Sequence, residues 1–247
     1  MARAIERIER DIAALEEAVS AIAVELRSTY ASYLTALGQA VRQQTVVASY
    51  HVCTQGYPES FLGLSFSQRQ QLQQAIRMLG QDTYDQLLAH TNTDSPRPSK
   101  PEDLAQWQQN LEQAIANTLK KTNRETNNLL QQAGILPNKL PVPVLEAAAN
   151  SSEASAEVMA GPPNLLNLLI ETENNQESED SSVTQIVAIH LRLSEIEFTD
   201  ATVRAGRNQI RNLEVRLKSL GREYYKKQRE RAVAEAEAAW RASWFDD

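Results

Sequence analysis

The sequence predicts an all-α protein built on long coiled-coil-forming helices, and three observations carry this prediction. Glycine, which helix interiors avoid, accounts for 8 of the 247 residues. Apolar residues recur every three or four positions over long stretches. Glycine and proline gather at a few points, where they would end such helices. The expected architecture is two long helices, a small helical middle region and a disordered acidic linker.

The first predicted element, residues 1–56, is one long coiled-coil helix. Its apolar residues are separated alternately by three and four positions, which is the heptad pattern of a coiled-coil seam. The seam comprises Ile5, Ile8, Ile12, Leu15, Val19, Ile22 and Leu26. Gly56, followed by Pro58, is typical of a helix end. Because the seam needs a partner, we expect it to pair with a second copy of the chain or with the C-terminal helix.

Residues 57–136 are predicted to form a small helical middle region. Ser65 or Ser67 would cap one helix, which ends at Gly80. A short helix and then a longer one follow before the linker. The aromatic corner at residues 57–66 is expected to be a hydrophobic plug at a helix hairpin.

Residues 137–183 are predicted to be a disordered acidic linker. From Leu140 to Val183 there are eight acidic residues and no Lys or Arg, without hydrophobic periodicity. Inside this stretch, Asn164 can cap a short apolar helix. The face of that helix comprises Leu165, Leu168 and Leu169. Such a face would either bind the groove of a partner protein or dock back onto the chain.

Residues 184–247 are predicted to form a second long helix with a basic stretch. Between Arg204 and Arg231 there are ten basic and three acidic residues, a local charge of +7 on a chain of net charge −7. Such a stretch suits phosphate groups, anionic lipid or an acidic protein. The favoured interpretation is a solvated coiled-coil flank, over which the acidic linker folds, or a surface for an acidic protein. The candidate anion-binding residues are Arg204, Arg207, Arg211, Arg222, Lys226, Lys227 and Arg229.

Three large aromatic residues lie among the last eight positions, namely Trp240, Trp244 and Phe245. The two tryptophans are four residues apart and share a helix face. Tryptophan is enriched at protein-binding hot spots, which favours docking of another protein. The alternative is that this tail packs on the protein's own helices or on a dimer partner.

No residue pattern in the sequence is typical of a catalytic or metal site. The three histidines are far apart, Cys53 is the single cysteine, and no CxxC or HExxH pairing occurs. The sequence also lacks a GxSxG elbow and a phosphate-binding glycine loop. We therefore expect no enzymatic activity, no metal and no cofactor.

The segment YASYLTALGQAVRQQTVVASYHVCTQGYPESFLGLSFSQRQQLQQAIRMLG, at residues 30–80, resembles uncharacterised glutamine-rich coiled-coil proteins of cyanobacteria. This resemblance covers about a fifth of the chain and implies no activity; it implies a cytoplasmic setting, adjacent to thylakoids. The single cysteine fits a reducing compartment. The N-terminus has no uninterrupted apolar core, so we expect a cytoplasmic protein, with the cytosolic face of a membrane as the second option.

The function expected from these features is that of a structural or adaptor protein. Coiled-coil association would form a homo-oligomer or an intramolecular helix pair, and the linker motif and the aromatic tail would recruit other proteins. The alternatives are a nucleic-acid-associated protein or a peripheral membrane protein, each acting through the basic stretch at residues 204–231.

Overall fold

A computed structural model describes residues 2–92, 99–137, 162–172 and 182–244 of the chain. Within these ranges the protein is largely helical, which confirms the all-α class, although one two-stranded sheet departs from it. The helices are α1 (Ala2–His51), α2 (Pro58–Gly63), α3 (Phe66–Ala89), α4 (Pro101–Gln132), α5 (Leu193–Thr199) and α6 (Ala201–Ala242). The strands are β1 (Leu165–Thr172) and β2 (Ser182–Ile189). A π-helical turn, Val52–Gly56, follows α1, and a 3-10 turn, His90–Asn92, follows α3.

The chain divides into two compact units. Unit 1 comprises Met1–Tyr33, His90–Gln113 and Ala205–Asp247, and unit 2 comprises Leu34–Ala89 and Ala114–Arg204. Helices α1, α4 and α6 therefore contribute residues to both units.

Unit 1 is built on antiparallel packing of α1 against α6. Residue numbers rise along one helix as they fall along the other. The hydrogen-bonded pairs are Glu16 with Tyr224 at 3.3 Å, Glu25 with Arg216 at 2.9 Å and Tyr33 with Arg207 at 2.7 Å. From α4, Trp107 packs edge-to-face on Tyr30, with ring centroids 5.7 Å apart. The interior of the unit includes Ile12, Val19, Ile22, Leu26, Leu104, Ile210, Leu213 and Leu217.

Unit 2 brings the second half of α1 against α3 at two glycines. A Cβ atom on Gly38 would lie 2.6 Å from the Tyr84 ring, and one on Gly80 would lie 3.1 Å from the Arg42 side chain. Glycine at both points therefore permits the close approach of the two helices. The expected helix end at Gly80 is wrong, because α3 continues to Ala89 and uses this glycine for packing.

The start of α3 follows the sequence signals, whereas the corner before it does not. Ser65 and Gln68 form a reciprocal cap, in which the Gln68 amide donates to Ser65 Oγ and the Ser65 amide donates to Gln68 Oε1. The corner was expected to be a hydrophobic plug. Instead, α2 has no buried residue, and Leu62 and Phe66 are exposed. The connection from α1 to α3 consists only of the π-helical turn and the short helix α2.

Two predictions fail at the sheet of unit 2. Strand β1 occupies the leucine island expected to be helical, and β2 occupies the expected start of the last helix; they pair antiparallel, with Leu165 opposite Ile189. Short apolar runs fit helix and strand alike, and β2 is rich in the β-branched residues that favour strands. The interpretation of residues 137–183 as a disordered linker falls partly on residues 138–161 and 173–181, which lie outside the described residues.

The outer edge of β2 is covered by side chains from the helical part of unit 2. Asn127 of α4 accepts a hydrogen bond from the Ile189 amide and donates one to the Ile189 carbonyl, both at 2.9 Å. One helical turn earlier, Asn123 makes the same pair of bonds with Leu191, at 2.8 and 3.3 Å. The Val187 amide donates to the hydroxyl of Tyr57 at 3.1 Å. Helix side chains thus take the place of a third strand.

Asn164 precedes β1 in the left-handed region, at φ 62°. Its expected role as a helix cap is wrong, but the residue is still the local anchor. Asparagine tolerates this conformation because its short polar side chain forms local hydrogen bonds. Here the Asn164 amide donates to Glu195 at 2.6 Å, and Asn164 Oδ1 accepts from the Arg192 amide at 3.2 Å. These bonds tie β1 to the start of α5.

Candidate docking face on the C-terminal helix

The predicted heptad seam lies inside unit 1. Ile12, Val19, Ile22 and Leu26 are buried. Ile5, Ile8 and Leu15 are half-buried. Since the same region of α1 is hydrogen-bonded to α6, the observed pairing is between helices of one chain.

Three of the predicted anion-binding cations are engaged within the chain. Arg207 donates to Glu112 Oε2 at 3.1 Å and stacks on the Tyr33 ring, 4.6 Å from its centroid. Lys227 pairs with Asp11 at 3.1 Å and with Glu230 at 3.0 Å. Arg204 donates to the Phe198 carbonyl at 3.3 Å. These side chains fasten α6 to its surroundings.

Glu112 is the polar centre of unit 1. Its carboxylate accepts hydrogen bonds from the guanidinium of Arg207 and, at 2.6 Å, from the hydroxyl of Tyr30. Burial and the neighbouring Glu112 carboxylate both raise the pKa of Tyr30 far above its ordinary value, so this phenol stays protonated and donates its proton. The cluster joins three helices through charge-assisted hydrogen bonds.

The remaining predicted cations, Arg211, Arg222, Lys226 and Arg229, point into solvent, as does Lys218. At about 100° per residue, these five side chains fall within roughly 40° of one line along α6. Val215, Val233 and Trp240 lie on the same line. We call these eight residues the outer face of α6.

The outer face contains no acidic residue between Arg211 and Trp240. Its five cations form no ion pair with any residue that the structure describes. Glu214, Glu223 and Glu230 lie three or four residues from individual cations of the row, but Glu214 accepts a hydrogen bond from Gln108 and Glu230 pairs with Lys227. The five cations outnumber these acids, so the face keeps an excess of positive charge among the described residues.

The aromatic tail continues the outer face. Trp240 is 67% exposed and Trp244 is 65% exposed, with ring centroids 6.0 Å apart. The two rings lie against each other, and most of the surface of each side chain remains exposed. Phe245, the third predicted tail residue, lies outside the described residues.

The predicted linker motif is placed differently from the tail. Leu165 is 9% exposed, because β1 lies against the helices of unit 2, so its side chain is not offered to a partner. The side chains of Leu168 and Leu169 lie outside the described part of β1. The expected helix is wrong for this segment, which forms β1; of the two alternatives left open, burial of Leu165 agrees with docking back onto the chain.

Among the described residues, no group of three or more His, Cys, Asp or Glu side chains is arranged to hold a metal ion. Burial raises the pKa of Cys53 to about 11, so its thiol is a poor nucleophile at neutral pH. An open cleft of about 700 Å³ in unit 2 has no histidine, thiol or carboxylate in its lining. It is lined by Gln39, Arg42, Gln43, Val46, Val47, Arg77 and Gln81.

Sequence reasoning found most of the outer face but not its arrangement. Lys218, Val215 and Val233 were not singled out, although Arg211, Lys218, Arg222 and Arg229 are separated by seven, four and seven residues. That spacing is itself the signal for one helix face. No known protein family, no curated protein and no solved structure matches this chain.

Proposed function

We propose that this chain is a non-enzymatic docking protein that presents the outer face of α6 to an anionic partner. The observation that supports the proposal is the row of five exposed cations from Arg211 to Arg229, which form no ion pair with an acidic side chain of the described residues. The proposed setting is the cytoplasm, and no metal or cofactor takes part.

The row is unlike a merely solvated helix flank. Lys218 and Arg222, and Arg222 and Lys226, are like charges four residues apart, an arrangement that destabilises a helix by roughly 0.2–0.5 kcal/mol per pair. Glutamate offsets only part of this repulsion, because Glu214 lies four residues before Lys218, whereas Arg222 has a cation at both such positions. The like-charge pairs therefore carry a cost in stability that binding to an anion would offset.

Other recruitment elements expected from the sequence are less accessible. Ile12, Val19, Ile22 and Leu26 of the α1 seam are buried within unit 1, and Leu165 is buried within unit 2. These placements argue against a role for either in holding a second protein. They favour the C-terminal helix as the recruiting element of an adaptor.

The proposal is tested with heparin as a soluble polyanion. We expect the full chain to bind immobilised heparin at about 50 mM NaCl and to elute as salt screens the contact. The double charge reversal R211E/R222E should elute at clearly lower salt. The matched control R77E/K120E makes the same change of charge at two exposed positions in unit 2 and should elute with the wild type. Equal elution of both variants would refute the proposal.

A second candidate function, recruitment of another protein by the tail, is favoured by the exposed pair Trp240 and Trp244. Exposed tryptophans without a packing role are typical of binding hot spots. Proteins cross-linked to the wild type and to W240A/W244A in cell extract can be compared. Identical sets of cross-linked proteins would rule this candidate out.

A further inference from the structure

We infer that the anionic partner of the outer face of α6 is the surface of a lipid bilayer. This inference rests on the proposed docking function of the same face and adds the chemical class of its partner. It is carried by three features of the face: its composition, its straightness and its aromatic end.

The first feature is the presence of exposed apolar side chains on the same face as the cations. Val215, which is 67% exposed, lies between Arg211 and Lys218, and Val233, which is 43% exposed, follows Arg229. Phosphate groups of a nucleic acid give a valine side chain nothing to contact. At a bilayer surface, basic side chains bind the headgroups, and apolar side chains beside them contact the apolar part of the interface. A face that combines cations with valine therefore matches a lipid interface.

The second feature is that the five cations lie within roughly 40° of one line along α6. Arg211 and Arg229 are 18 residues apart in an uninterrupted helix, which is about 27 Å at 1.5 Å per residue. A flat anionic surface can contact all five cations together. The phosphates of a DNA duplex wind around its axis, with grooves about 6 and 12 Å wide between the strands. A straight helix would meet these phosphates at separated crossings and would leave part of the row unused.

The third feature is the tryptophan pair at the end of the same line. Trp240 and Trp244 are two-thirds exposed. Trp240 lies about three helical turns beyond Arg229, and Trp244 follows just after the end of α6 at Ala242. Tryptophan is enriched at membrane–water interfaces because its ring is apolar and its N–H group remains hydrated. Within a row that faces an anionic surface, the pair would anchor the helix end at the headgroup level.

This kind of attachment is peripheral. Among the helices that the structure describes, none has the length and apolar character needed to cross a bilayer. The apolar side of α6 is already buried in unit 1, so the helix would lie on the lipid with its polar side. Each basic residue near an anionic surface tightens binding about fivefold, so five together support reversible, salt-sensitive binding.

The test uses the full chain and sucrose-loaded vesicles of phosphatidylcholine, with or without about 30% phosphatidylserine, in a sedimentation assay. We expect binding to the anionic vesicles, loss of binding as salt rises, and little binding to neutral vesicles. R211E/R222E should weaken binding at least tenfold, whereas R77E/K120E should bind as the wild type does. Thermal melting of each variant shows whether it is folded.

A second measurement follows the tryptophans. Brominated lipid should quench part of the wild-type fluorescence, and W240A/W244A should lose this quenching because its remaining tryptophan, Trp107, packs on Tyr30 in unit 1. Quenching that persists in the double variant would contradict the assigned orientation.

The possible outcomes distinguish failure of the membrane inference from failure of the proposed docking function. Binding to heparin without binding to anionic vesicles overturns the membrane inference and leaves the docking function standing. Binding to duplex DNA but not to vesicles does the same and assigns the face to nucleic acid. Failure with heparin, DNA and vesicles alike overturns both. Equal binding to neutral and anionic vesicles also overturns the inference, since the cations would then have no part.

Discussion

Asn127 and Ile189 are joined by two hydrogen bonds of 2.9 Å, one in each direction between the side-chain amide and the strand backbone. The side chain of a helix residue thus satisfies both backbone groups of a strand residue, as a neighbouring strand would. Because Asn123 repeats the arrangement with Leu191, the two asparagines set the position of β2 along α4.

We expect Asn127→Ala to destabilise the protein by about 2–4 kcal/mol, because it leaves a buried amide and a buried carbonyl of Ile189 without partners. The change should lower the melting temperature by several degrees. It should also increase hydrogen exchange at the Ile189 amide. Asn128→Ala, at the next and half-buried position of α4, is the control. Unchanged protection of Ile189 would contradict the role assigned to Asn127.

A charge at Val19 should disrupt unit 1, whereas a charge at Val24 should not. Val19 has no exposed surface, while Val24 on the same helix is 51% exposed. Val19→Lys buries an ammonium group without a partner and should cost about 3 kcal/mol or more. Val24→Lys should stay within about 0.5 kcal/mol of the wild type. Urea unfolding of the two variants measures the difference, and equal midpoints would show that the α1 seam does not support the fold.

Arg207→Ala should lower stability, whereas Arg211→Ala should weaken binding to heparin. Arg207→Ala removes the partner of Glu112 and should cost about 2 kcal/mol, because a part-buried carboxylate loses charge-assisted hydrogen bonds. Arg211→Ala should leave stability unchanged and weaken heparin binding. Denaturant unfolding and heparin elution together measure this separation. Loss of stability in the Arg211 variant would mean that its side chain has a structural contact.

The Cys53 thiol should react slowly in the folded protein. Burial raises its pKa from 9.0 to about 11, so the thiolate fraction at pH 8 is about a hundredfold smaller than in the unfolded chain. Because the folded-state pKa is the higher one, the associated stabilisation is complete below pH 9 and is lost as the pH rises towards 11. The reaction rate with a disulfide reagent, in buffer and in urea, measures the effect. Similar rates in both would contradict the burial.

Truncation after Ala239 should leave helicity and the melting temperature nearly unchanged. Trp240 and Trp244 are exposed and touch each other, so their removal uncovers no core. Tyr224→Ala gives the comparison, because Tyr224 is 5% exposed and its loss should lower the melting temperature. Circular dichroism measures both. A drop of several degrees on truncation would show that the tail closes the bundle.

The helical class and part of the helix boundaries were predictable from the amino-acid sequence alone, whereas the end of α3 and the start of the last helix were not. Heptad spacing over Ile12, Val19 and Leu26 identified the buried side of α1, and Ser65 marked the start of α3, because such patterns act within a few turns of one helix. The positive charge of α6 was also predictable, because it depends on the amino-acid composition and not on the fold.

Which of these features stay exposed to a binding partner depends on the tertiary packing. The seam of α1 could pair within or between chains, and packing against α6 placed it inside unit 1. Arg207 and Lys227 form ion pairs with Glu112 and Asp11, whereas Arg211 is exposed to solvent. Which cations are paired therefore depends on where the fold places these two carboxylates. The segment around Leu165 fits helix and strand alike, and it became a strand because β2 and the asparagines of α4 supplied hydrogen-bond partners that are distant in sequence.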